Sequence, residues 1–258
     1  MRNLILCLLI LAPLGIAAQE PDPETPTELL EIFHVDYPRN AKASFCRRPI
    51  EMVDTIVFHH TETSSLTTPL EINDMHLNRG TPNDPWLMVA YSYQVNVPYP
   101  GNQNPSPKVT EGRPLDIVGA HAGSQVFVPM DPEQKRMWDN GEIICGVEGG
   151  SFSVDPKQLN EKGHIKANVT TIGVDVIGNY APFSRDNPDG WRPSRPRYPT
   201  PATIDLLARL SCQLQKKYPR MKFMRWHNFY HTTSCPGTIK DYVPKIREAA
   251  KGYGCEFN

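Results

Sequence analysis

Apolar positions recur along this chain at two different periods, and the periods separate strands from helices. Asp54 to His60 is a short, nearly continuous apolar run, the pattern of a strand buried within a sheet. Leu87, Val89, Tyr91, Tyr93, Val95 and Val97 occupy every second position, which predicts a strand with one face turned inward. Val174 to Ile177 reads as a further strand. Helical spacing takes over elsewhere. Thr68, Pro69 and Glu71 supply an N-cap, a proline at the first helical position and a capping-box acid, and Ile72, Met75, His76 and Arg79 follow before Gly80. Thr200 and Pro201 open another helix with Leu207, Leu210 and Leu214 on one face, and Asp241 to Lys251 forms the last. Strands interleaved with helices predict an α/β fold, and no internal repeat breaks the pattern.

The segments between these elements are uneven. Residues 1–18 read as a leader: Arg2 is its charge, Leu4 to Leu14 its apolar centre, and Gly15 to Ala18 a small-residue cleavage region. The run is too short for a confident membrane span. Residues 19–45 read as an N-terminal arm, rich in Pro and Glu at its start, and residues 46–258 as one domain. Two stretches, about 124–167 and 181–199, exceed ordinary loop lengths and read as insertions. Asp131-Pro132 and Asp155-Pro156 look like turns within the first.

Composition narrows the class. Hydrophobic residues make up 39% of the 258, as in a soluble globular chain. Removing the leader takes Arg2 from 27 basic residues set against 28 acidic ones, so the chain stays near neutral. No basic, aromatic-interleaved patch suggests a nucleic acid partner. An exported chain meets an oxidising compartment, secreted or periplasmic, where cysteines pair. Of the 6 cysteines, Cys7 lies in the leader, so an odd number remains. If Cys235 serves another purpose, Cys46, Cys145, Cys212 and Cys255 can pair in three ways; Cys212 with Cys255 is expected, since both lie near C-terminal helices.

The candidate chemistry lies in two distant segments. His227 and Cys235 bracket an eight-residue step ending in Cys-Pro-Gly, and His59 and His60 close the Asp54 strand. Two imidazoles and a thiolate make three ligands, with no fourth obvious. Structural zinc sites close with four protein ligands; catalytic ones use three and keep a position open. No CxxC or HExxH sequence occurs. The set reads as an open zinc site. His59 and His60 point to opposite faces of their strand, so only one can face a given metal, and the strand alone does not choose.

Other segments join this pattern in order: Tyr91 and Tyr93 on a strand, Gly119-Ala-His121-Ala-Gly123, and Asn168 to Gly173 leading into Val174. Together they resemble the type-2 N-acetylmuramoyl-L-alanine amidases, a family that includes the peptidoglycan recognition proteins and phage lysozyme-amidases. The likeness runs from about Val53 to about Ile246. It implies a single α/β domain whose central mixed β-sheet is flanked by helices, with a zinc site in a surface groove. It puts His59, His227 and Cys235 on Zn2+ and leaves His60 to pack or hydrogen-bond behind the sheet.

An amide is a poor electrophile, and water a poor nucleophile at neutral pH, so hydrolysis needs both a Lewis acid and a proton carrier. Tyr91 matches the tyrosine of recognition proteins and phage enzymes. Asp175 matches the glutamate of cytoplasmic anhydro-muropeptide amidases, and an acid between Val174 and Val176 is costly unless paired or used. Asp175 is the expected general base, with Tyr91 orienting water or stabilising the oxyanion. Thr233 stands where phage enzymes carry lysine and many recognition proteins threonine; its hydroxyl can bond an oxyanion without supplying charge. His121 and Asn168 are the expected substrate contacts. His76 reads as a packed core histidine, while His164 and His231 support no role. Asn168 also opens an Asn-Val-Thr glycosylation sequon.

The expected function is hydrolysis of the amide between N-acetylmuramic acid and the L-alanine of peptidoglycan. A non-catalytic peptidoglycan-binding module is the first alternative, and a Cys-His peptidase acting on stem peptides is a weaker one.

Overall fold

The computed structural model describes residues 29–43, 45–81, 84–96, 108–123, 125–146, 156–181 and 198–258. The leader, Val97, Asp155 and most of the second insertion lie outside the described residues. Six strands form the central sheet: Ile32–Phe33 (β1), Thr55–His60 (β2), Tyr93–Asn96 (β3), Lys108–Glu111 (β4), Thr171–Val176 (β5) and Phe223–Trp226 (β6). Their order is β1-β4-β3-β5-β2-β6. Only β3 and β4 pair antiparallel, so the sheet is mixed. The long helices are Pro69–Leu77 (α1), Pro132–Asp139 (α2), Pro201–Lys217 (α3) and Val243–Gly252 (α4). None of the described helices is long and apolar enough to cross a membrane.

The sheet's centre explains the apolar run. β2 lies between β5 and β6, parallel to both, and all six of its residues are buried. A strand covered on both faces needs a continuous apolar sequence rather than an alternating one. Ile56 and Phe58 face one side with Tyr93, Val95, Ile172, Val174, Val176 and Met224, against Leu207, Leu210 and Leu214 of α3 and Ile246 of α4. Full burial of each such side chain contributes about 1.5–3 kcal/mol. The opposite side carries His59, Asp175 and Gln94, which are neighbours in register across β2, β5 and β3. Ile72 of α1 and the Leu87–Val89 segment form the apolar cluster that flanks that side.

Capping behaves as the sequence predicts. The Thr68 side chain accepts from Glu71 N–H, and Glu71 returns the bond to Thr68 N–H. Thr200 caps α3 in a similar way through the Thr203 N–H.

Three expectations need correction. The strand expected over Leu87 to Val97 is a ladder only over Tyr93–Asn96. The Arg113 side chain bonds the Met88 and Val89 carbonyls, while Asn73 and His76 accept from Val89 and Ala90 N–H, so these backbone groups of Met88 to Ala90 are satisfied by side chains instead of a partner strand. Asp131-Pro132 does not make a turn: Asp131 caps α2 in a capping box with Gln134. The part of the expected arm that is described is built into the domain, with β1 on the sheet edge and Tyr37 donating to Gln94 Oε1 at 2.8 Å.

The described parts of the first insertion, residues 125–146 and 156–167, pack on each other. Phe127–Pro129, His164–Lys166 and Asn160–Glu161 form a small antiparallel sheet beside α2, and Met137, Ile143, Leu159 and Ile165 cluster with Met52 and Val169. A disulfide from Cys145 to Cys46 ties it to the segment leading into β2. A second disulfide joins Cys212 to Cys255, as expected, and leaves Cys235 free.

Candidate functional site

His59 ends β2 one residue before its terminus, Asp175 sits near the end of β5, and His227 follows β6 directly. Parallel strands thus deliver all three to the carboxyl edge of the sheet, where α/β folds place their ligand crevices. Cys235 arrives from the other direction. A short helical turn, His227–Tyr230, sends the chain outward, and Cys235-Pro-Gly brings it back. Gly237 makes that return possible: its φ is +63°, and a Cβ there would lie 2.3 Å from the Tyr180 carbonyl oxygen.

One ligand atom each from His59, His227 and Cys235 lies within 4.8 Å of the others. Cys235 Sγ is 3.6 Å from His59 Nδ1 and receives the His60 N–H at 3.4 Å. The other nitrogen of His59, Nε2, is 3.1 Å from His121 Nδ1, and His121 Nε2 is 3.2 Å from Thr171 Oγ1. That hydroxyl donates to the Ala167 carbonyl at 2.7 Å, so the chain of contacts ends on backbone. His227 Nδ1 is buried with no hydrogen-bond partner. A buried, unpartnered nitrogen beside a second imidazole and a thiol is the donor set zinc takes, and these residues fit that ion.

Burial sets the protonation of this cluster. It holds the His59 imidazole well below the usual range, with His227 and His121 adding to the effect. It lowers His121 to about 3 and His227 to about 4, so all three rings are neutral at pH 7 and have a lone pair to give. Burial also pushes the Cys235 thiol and the Asp175 carboxyl well above their usual ranges. Asp175 is 0% exposed, and neither carboxylate oxygen has a hydrogen-bond partner. Tyr91 is half-buried with its ring 5.0 Å from that of His59; burial and then Asp175 keep its hydroxyl protonated. Thr233 Oγ1 accepts from Cys235 N–H at 3.3 Å.

Two residues expected to contact substrate are occupied otherwise. Asn168 Oδ1 accepts from His121 N–H at 3.0 Å and Ala122 N–H at 2.8 Å, and its Nδ2 donates to the Gly123 carbonyl at 3.1 Å. It is a buried clasp on the 121–123 loop, and the sequon it opens is buried with it. His121 is likewise buried, with both ring nitrogens engaged on His59 and Thr171. Together they hold His59. His60 lies behind, as the resemblance implied, accepting from Tyr180 N–H at 2.8 Å.

Two contributors escaped the sequence reading. Glu62 adopts φ +57°, a left-handed conformation that costs a non-glycine residue about 1–2 kcal/mol. There it accepts from Ser234 Oγ at 2.6 Å, joining the loop after β2 to the loop that carries Cys235. Contact with His60 and the Ser234 bond hold its carboxyl down to about 2, a fixed negative charge at the rim. The second is His231, whose Nε2 is 2.7 Å from His227 Nε2. No local sequence signal marks either one.

The family model for N-acetylmuramoyl-L-alanine amidase (Amidase_2) matches residues 48–238, well over half of the chain. The chain belongs to this family. Among solved structures, this amidase-family chain is similar to the endolysin N-acetylmuramoyl-L-alanine amidase LysCS from Clostridium intestinale URNW, at 20% identity and TM-score 0.49, covering 88% of this chain and 99% of that one. It is similar to the Drosophila peptidoglycan recognition protein SD at 15% identity and TM-score 0.49, covering 84% and 94% of the two chains. Peptidoglycan recognition protein-LE in complex with tracheal cytotoxin, a monomeric diaminopimelic acid-type peptidoglycan, matches at 14% identity and TM-score 0.45, covering 83% and 92%. No curated protein matches the chain.

Proposed function

We propose that this protein is an exported, zinc-dependent amidase that hydrolyses the bond between N-acetylmuramic acid and the L-alanine of peptidoglycan. The observation that carries the proposal is the meeting of His59, His227 and Cys235, with His227 Nδ1 buried and unpartnered, at the carboxyl edge of the sheet in a chain of this family. Export is supported by the two disulfides and by the leader-like N-terminal sequence.

His59, His227 and Cys235 would hold Zn2+, which supplies a Lewis acid for the amide carbonyl and makes water nucleophilic near pH 7. The protein's own groups divide the remaining work. Tyr91, protonated throughout the working range, donates its O–H to orient water or to stabilise the developing oxyanion. Asp175 is the proton acceptor and later returns the proton to the leaving amine. Burial alone keeps Asp175 protonated, so its basic form needs a cation alongside, which the ligand set would provide. Thr233 contributes a hydroxyl near Cys235 for the oxyanion. Cys235 as a thiol nucleophile is disfavoured, because burial holds it in the protonated, unreactive form and also leaves the neighbouring His59 and His227 imidazoles too weakly basic to take its proton.

Mass spectrometry of purified muropeptides after incubation with the protein tests the reading. Intact glycan plus a stem peptide with a free N-terminal alanine, abolished by chelation and restored by zinc, is the expected result. Zinc-loaded protein that binds muropeptides and leaves them whole would replace the amidase with a recognition module.

A further inference from the structure

His231 lies four residues past His227, just beyond the His227–Tyr230 turn, which brings the two side chains together. Their rings meet edge to face with centroids 4.4 Å apart, and Nε2 stands 2.7 Å from Nε2. Across such a contact one nitrogen must donate and the other accept. The far side favours one direction. His231 Nδ1 is 3.3 Å from the Thr232 carbonyl oxygen, which can only accept, so the single-proton tautomer that satisfies both contacts donates from Nδ1 and accepts at Nε2. In that arrangement His227 carries its proton on Nε2, and its lone pair is on Nδ1. That is the atom found buried without a partner.

We infer that His231 is a positioning residue for the metal centre: its hydrogen bond holds His227 in the one tautomer and ring orientation that offer Nδ1 to a cation. The inference rests on the zinc reading above. It gives the two histidine ligands parallel support, since His59 Nε2 meets His121 as His227 Nε2 meets His231. A ligand imidazole whose second nitrogen is engaged loses less freedom on binding and is a stronger base. The supports differ in burial. His121 is sealed in the core, whereas His231 is exposed at the rim, so it can be replaced without opening a cavity.

The test is zinc affinity of the full chain, measured by chelator competition for wild type, His231→Ala and His231→Gln, with thermal melts of the metal-free proteins. Loss of an outer partner typically weakens metal binding about 10–100-fold. That loss is expected for His231→Ala, with an unchanged metal-free melt. Gln, whose Oε1 can accept the same N–H, should recover most of the affinity. The visible spectrum of the cobalt-substituted protein should change in His231→Ala and stay near wild type in His231→Gln. Equal zinc affinity in wild type and His231→Ala would overturn the inference, as would equal losses in both variants accompanied by a lower metal-free melt. A wild type that binds no zinc would overturn the metal reading itself.

Discussion

Replacing Asp175 by asparagine should make the metal-free protein's stability less sensitive to pH while destroying its activity. Asp175 is fully buried, its oxygens are unpartnered, and burial holds its carboxyl well above the ordinary range. The unfolded chain releases this proton near pH 4. Above that pH the folded state keeps a proton that the unfolded state has lost, so wild-type stability falls as pH rises until the folded group also ionises. The slope from this one group reaches about 1.4 kcal/mol per pH unit. Asp175→Asn removes the titration but leaves an amide in the same site, at a pH-independent cost of about 1–3 kcal/mol if that amide stays unpaired. The change in the difference with pH is therefore the diagnostic quantity, rather than its value at one pH. Urea denaturation of chelator-treated wild type and variant at pH 5, 6, 7 and 8 measures it. The variant's stability relative to wild type should rise from pH 5 upward and level off where the folded carboxyl ionises. In the zinc-loaded enzyme, loss of the proton acceptor should lower turnover by about 10²–10⁴-fold. A stability difference that is flat with pH, or one that shrinks, would refute the account of Asp175 as a carboxyl kept neutral by burial.

Other perturbations reach the same site from its supports. Gly173→Ala would set a Cβ 2.9 Å from His121 Cγ and 3.0 Å from Tyr91 Cδ1. Such overpacking costs about 1–3 kcal/mol, and the thermal melt and zinc affinity should both drop; wild-type values for both would contradict the packing described. Asn168→Ala removes three hydrogen bonds from the 121–123 loop. It should destabilise the fold by about 1–3 kcal/mol in urea titrations and weaken zinc binding through His121. Replacing Cys46 and Cys145 together by alanine opens a disulfide spanning 99 residues. A loss of about 2–4 kcal/mol in unfolding free energy is expected, and no loss would mean that the insertion is held by its own packing alone.

Much of this architecture is legible in the residues. β2 could be read because a strand buried on both faces carries a nearly continuous apolar run instead of an alternating one, and α1 because its capping box is local in sequence. The Leu87 to Val97 period misled for a physical reason: Leu87 to Ala90 are buried without a ladder because Arg113, twenty-four positions on from Val89, satisfies the Val89 carbonyl. Spacing brought His59, His227 and Cys235 to notice, and the structure brings them together. What spacing could not tell is which way a groove loop turns its side chains. His121 and Asn168 face inward to brace His59, a direction set by contacts 46 to 62 residues apart. His231 was invisible for a related reason, since its partner is chosen by how a four-residue turn folds back rather than by any pattern of residue types.

The most direct test of the central claim measures bound zinc and amidase turnover in the same preparations of wild type, His59→Ala, His227→Ala and Cys235→Ala. One zinc per chain in the wild type, with metal and release of N-terminal alanine lost together in each variant, is the result predicted. Full turnover from a variant that holds no zinc would contradict it.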